Sequence, residues 1–85
     1  MKSNEIVREQ IFEIIKNQIK MKNPPEVKIT YERLRKLGFD DFVTKQYLGQ
    51  CLGVELFHML KYKEEWNLER YVKNLQNLPK EPFED

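Results

Sequence analysis

His58 is the only histidine in the 85 residues, and it limits the chemistry open to the chain. A zinc motif with two histidines is impossible, and so is any His–His metal pair within one chain. Glu55 lies three residues before His58 on one helical face, where the two could act as an acid–base or metal-binding pair. The same spacing also describes an ordinary side-chain contact at the edge of a core, and a catalytic constellation needs a third positioned group that the sequence does not offer. Cys51, the single cysteine, could serve as a nucleophile only if a neighbouring charge lowered its pKa. It stands between Gln50 and Leu52 in an apolar stretch without an adjacent lysine or arginine, so it reads as a small buried hydrophobe. One cysteine allows neither an intramolecular disulfide nor a Cys-based zinc site. With no Gly-rich phosphate loop and no paired-carboxylate geometry, the expectation is a protein that is not an enzyme, with no catalytic, metal or cofactor-binding residue and no cofactor.

Charge narrows the field further. Fifteen basic and fourteen acidic side chains leave a formal net charge of +1, without the basic excess of a dedicated nucleic-acid binder. Residues 1–45 carry ten basic and seven acidic side chains, and residues 46–85 carry five and seven. The basic groups Lys16, Lys20, Lys22, Lys28, Arg33, Arg35 and Lys36 could gather near one turn and meet RNA or an acidic partner, although such charges more often form a solvated face. No stretch reaches the roughly 18 apolar residues of a membrane span, and no signal-peptide pattern follows Met1. A cytoplasmic protein without a membrane role is the expectation.

Four helices must position these residues, within one domain over residues 1–85. The first is expected over about 4–21, with Ser3 as N-cap and Val7, Ile11, Ile14, Ile15 and Ile19 at helical spacing. Asn23-Pro24-Pro25-Glu26 separates it from a second helix over about 24–37. Asn23 precedes a proline and suits an N-cap, Pro24 fits the first helical position, and Glu26 falls where it can close a capping box. Val27, Thr30, Tyr31, Leu34 and Leu37 form its inward stripe, and Gly38 fits the left-handed stop, with Phe39 packing back.

Asp40 or Asp41 caps a third helix over about 41–62 that is apolar on most sides and therefore central. Asn67 caps a fourth over about 68–78, where Trp66 and Tyr71 are placed as a hydrophobic staple. Leu68, Tyr71, Val72, Leu75 and Leu78 line its inner face. The tail 79–85 has no helical pattern, though Phe83 could anchor it.

Two patterns remain. Gly49 and Gly53 are four apart in the third helix, which suits either close packing within the chain or a homodimer seam; the intrachain reading is preferred. Residues 30–48 resemble a helix-turn-helix superficially. Arg35 or Lys36 replaces the small residue at its turn, however, and Asp40 and Asp41 at the start of the would-be recognition helix would repel phosphates.

From Asn23 onward the order of features resembles a group of small bacterial all-helical proteins of unknown function. The shared pattern is Asn23-Pro24-Pro25-Glu26, then Glu32-Arg33-Leu34 through Gly38, then Glu69-Arg70-Tyr71-Val72 through Leu78-Pro79. It covers about three quarters of the chain. Many of those proteins carry His-x-x-x-His just after the glycine, which would imply a metal-binding possibility. Phe42 and Gln46 occupy the matching positions here, so no metal site is carried over.

The expectation is thus an all-α, compact four-helix domain with a long apolar third helix at its centre. Its function reads as a non-enzymatic protein-interaction module, whose partner is another protein or a second copy. The alternative is a nucleic-acid-binding module using the basic residues around Lys20–Lys36.

Overall fold

The computed structural model describes residues 2–82, with side chains from Arg8 onward; the inward placement expected for Val7 and the anchoring role expected for Phe83 lie outside the described residues. Four helices follow in order: α1 (Lys2–Met21), α2 (Pro25–Lys36), α3 (Asp41–Tyr62) and α4 (Leu68–Asn77). Among the described residues there is no strand. At about 1.5 Å per residue, α3 nearly spans the longest dimension of the molecule, 35 Å.

The punctuation between helices is local chemistry. Gly38, at φ +106°, allows a Schellman ending to α2, in which Gly38 N–H donates to the Arg35 carbonyl and Phe39 N–H reaches back to the Leu34 carbonyl. Asp40 then caps α3, its carboxylate accepting from Val43 N–H at 2.8 Å. Asn67 caps α4 in the same way, accepting from Arg70 N–H at 3.0 Å. The staple beside it is formed, with the Trp66 and Tyr71 rings 4.8 Å apart.

Two expected starts and three inward positions are corrected. α1 begins at Lys2, so Ser3 lies inside the helix rather than capping it. α2 begins one residue later than the sequence suggests: Pro24 is its N-cap, with ψ 151°, and Asn23 makes no cap. The cause is the second proline, since Pro25 pushes the residue before it out of the helical region just as Pro24 pushes Asn23. Leu37 is not on the inward stripe; it follows the last helical residue of α2 and is 60% exposed. Ile14 and Leu68, expected to face inward, are likewise exposed.

The core gathers Ile15 from α1, Val27 and Leu34 from α2, Leu48, Cys51 and Leu52 from α3, and Tyr71, Leu75 and Leu78 from α4 and its end. α3 packs against every other helix, and so does α2. Centrality is therefore shared. The backbones of α1 and α4 do not meet; Tyr71 Oη donates to the Gln18 side chain at 2.6 Å and joins them through the core. Nor is α3 apolar because every side is covered, since Phe42, Met59, Leu60 and Tyr62 are exposed. Its surplus apolar surface faces outward.

Candidate functional site

The densest polar cluster joins the second half of α3 to the start of α4. Glu55 is completely buried. Its carboxylate accepts from Arg70 Nε at 2.6 Å and Arg70 Nη2 at 3.1 Å, a two-pronged pairing that matches guanidinium to carboxylate geometry. A third bond comes from Asn67 N–H to Glu55 Oε1 at 3.0 Å. Glu55 hydrogen bonds and charge hold the Arg70 guanidinium above its ordinary range.

Arg70 is placed for this by the cap at Asn67, which starts α4 so that its first turn faces Glu55. Burying a carboxylate without partners would cost several kcal/mol. Here the buried oxygens are satisfied by a guanidinium and a backbone amide. This is an anchor for the connection between helices.

His58 is buried one helical turn after Glu55. Its Nδ1 lies 3.6 Å from Glu64 Oε1, and Arg70 Nη1 lies 3.7 Å from the same oxygen. The two residues singled out by spacing thus do belong to one cluster, but Glu55 is engaged by Arg70 and Asn67. Sequence reasoning missed Arg70 and Glu64 as their partners. Glu55 and Arg70 are fifteen residues apart and on different helices, so no helical spacing could pair them.

A second long-range contact ties α2 to α4. Arg33 Nη1 donates to the Leu78 carbonyl at 2.7 Å, and Nη2 donates to the Leu75 carbonyl at 3.1 Å. Leu75 lies in the last turn of α4, where its carbonyl also accepts from Leu78 N–H at 3.2 Å, and Leu78 is the residue that follows the helix. The third arginine, Arg35, faces Tyr31 and Asp41 instead. Tyr31 Oη donates to Asp41 Oδ1, and Lys45 Nζ pairs with Asp41 Oδ2 at 3.1 Å. Those contacts, the tyrosine bond foremost, lower the Asp41 pKa below its ordinary value of 3.8. Two of the basic residues expected around the first turn are therefore occupied within the protein.

Cys51 is buried in the core, and burial pushes its thiol up to about 12. The thiolate needed for nucleophilic chemistry is strongly disfavoured there. Gly49 packs within the chain: a Cβ added there would stand 3.0 Å from Ile11 Cγ2 on α1. Gly53 has nothing within 4 Å of such a Cβ and opens onto a shallow groove of about 410 Å³ bordered by Val54, Phe57 and Pro82. The glycine pair is split between an interior contact and a surface.

The outward surface is most apolar just past the middle of the chain. Of ten large hydrophobic side chains exposed among the described residues, five lie between Met59 and Leu68: Met59, Leu60, Tyr62, Trp66 and Leu68. Leu60 is 81% exposed. Lys61 Nζ sits 5.0 Å from the Phe57 ring centroid and 5.5 Å from that of Tyr62. Phe42 and Gln46, at the His-x-x-x-His positions of the resembled proteins, are both exposed, and Phe42 stacks on Phe12 at 5.6 Å.

Among the described residues no group of three or more His, Cys, Asp or Glu side chains could hold a metal ion, and no helix is long and apolar enough to cross a membrane. Fold and polar cluster together define an all-α four-helix protein with an internally anchored helical connection. No known protein family, curated protein or solved structure matches the chain.

Proposed function

We propose that this protein is a non-enzymatic protein-interaction module that associates through the second half of α3 and the connection after it, with a second copy as its partner. The observation that carries this reading is the concentration of Met59, Leu60, Tyr62, Trp66 and Leu68 on the surface within ten residues. Exposed apolar side chains gathered into one patch mark interaction sites. The charges interleaved with these residues are self-complementary. Lys61 and Lys63 precede Glu65, so a two-fold axis through the patch can set the basic end of one copy against the acidic end of the other, while Glu64 faces His58 and Arg70 within its own copy.

The non-enzymatic part of the reading rests on occupied groups. Glu55 is spent on Arg70 and Asn67, and Cys51 is buried with a raised pKa. The nucleic-acid alternative is weakened because Arg33 caps α4 and Arg35 faces Asp41. A reducing, cytoplasmic setting suits a chain whose one cysteine is free and buried.

Light scattering over a wide concentration range tests the proposal. A mass that rises towards twice the monomer value supports it. A strict monomer at high concentration, or retention on DNA or RNA that falls steeply with salt, would replace it.

A further inference from the structure

We propose that His58, Glu64, Arg70 and Glu55 form a pH-responsive clasp that sets how firmly the α3–α4 connection is held. The inference concerns contacts within one copy, in a connection that also carries Trp66 of the proposed association surface. Among the described residues, four charged or titratable groups meet there from three parts of the chain. Glu55 and His58 come from α3, Glu64 from the connection and Arg70 from α4. Tyr62 is the nearest aromatic neighbour on the α3 side, its ring 5.3 Å from the imidazole.

Among the described residues the charges do not balance when His58 is neutral. Two carboxylates face one guanidinium, and Glu55 holds the shorter bonds to it: 2.6 Å and 3.1 Å, against 3.7 Å to Glu64. Glu64 is the under-compensated member. An imidazolium at position 58 supplies the missing positive charge, 3.6 Å from the Glu64 carboxylate. Histidine is the side chain that ordinarily changes charge between pH 5 and 8. Protonation thus adds an ion pair between α3 and the connection, and deprotonation removes it.

The switched segment is short and identifiable. After α3 ends, Lys63 turns in the left-handed region at φ 56°, and residues 63–67 carry the chain to the Asn67 cap. Glu55 grips the far end of that segment through Asn67 N–H, and Glu64 can grip the near end through His58. The permanent hold is at Asn67 and the conditional one at Glu64. Between them sits Trp66, the only tryptophan in the protein, edge-on to Tyr71.

Trp66 therefore reports the clasp directly. Its emission, followed from about pH 8 to pH 5 in dilute solution, should move to shorter wavelength as the connection tightens. His58→Gln and Glu64→Gln should each abolish that transition. Glu64 is half-exposed, so its substitution leaves the core untouched even if the histidine variant folds poorly. Amide exchange in residues 63–67, corrected for the intrinsic effect of pH, should slow on the acid side in the wild type and not in Glu64→Gln. A flat wild-type titration would overturn the proposal. So would a transition that survives in Glu64→Gln, or one whose position follows protein concentration and so belongs to self-association.

Discussion

The guanidinium of Arg70 holds the fully buried carboxylate of Glu55 through two hydrogen bonds, of 2.6 and 3.1 Å, and so fixes the start of α4 against the second half of α3. Removing one partner strands the other. Arg70→Ala should destabilise the protein by about 3–5 kcal/mol, the usual cost of an uncompensated buried charge. Chemical denaturation measures this directly. Replacing both residues by apolar groups of similar volume should recover most of the loss, because the buried pair is weak evidence of net stabilisation. A single substitution within experimental error of the wild type would mean that the pair is not sealed from solvent.

Arg33 makes a second prediction. Its donations to the Leu78 and Leu75 carbonyls satisfy the end of α4 from a different helix. Arg33→Ala should cost about 1.5–3 kcal/mol, as for hydrogen bonds from a charged donor. Amide exchange should accelerate first in the last turn of α4. Arg33→Lys should rescue only part of the loss, since an ammonium lacks the planar fork that reaches two carbonyls at once.

The two glycines of α3 should respond in opposite senses. Gly53→Ala places a methyl in open space and removes the entropic penalty of a helical glycine, so it should stabilise by up to about 1 kcal/mol. Gly49→Ala meets Ile11 Cγ2 at 3.0 Å, and the gain in helix propensity should be offset by the crowding between α1 and α3. Thermal melts of the two variants side by side would separate them, and equal stabilisation would show that α1 yields freely.

Asp41 supplies a pH prediction. Its pKa is lowered by the Tyr31 hydrogen bond first, then by Lys45. A carboxylate whose folded pKa is depressed contributes stability above its ordinary value, here 3.8, and loses it as pH falls through the folded value. Stability should therefore drop on the acid side of pH 3.8 more steeply in the wild type than in Asp41→Asn. The difference should be small, because the pair is exposed and screened by water. Denaturation at a series of acid pH values measures it.

Much of the fold was legible because its punctuation is local. Asp40, Asn67 and Gly38 each act on backbone groups within a few residues, as do Trp66 and Tyr71 in the staple, and all stand where their types imply. The start of α2 was misplaced because two consecutive prolines offer two first positions. Only the effect of Pro25 on Pro24 decides between them. The end of α1 carried no glycine signal: Lys22 adopts φ 55° there, and Asn23 N–H reaches back to the Gln18 carbonyl.

The cluster was half legible. Glu55 and His58 share a helix, so their spacing could be read, whereas Arg70 and Glu64 reach them only because α4 folds back onto α3. The exposed apolar surface of α3 was hidden for a different reason. An apolar run looks the same in sequence whether neighbours or solvent cover it. Met59, Leu60 and Tyr62 face outward.

Leu60→Glu gives the most direct test of the proposed self-association, because a side chain 81% exposed can be changed with little effect on folding. The variant should unfold within about 0.5 kcal/mol of the wild type. Sedimentation of the two proteins over the same concentration series is the decisive measurement. The account predicts that the wild type passes from monomer to dimer while Leu60→Glu remains monomeric. A wild type that stays monomeric throughout, or a variant that dimerises as well as the wild type, would contradict it.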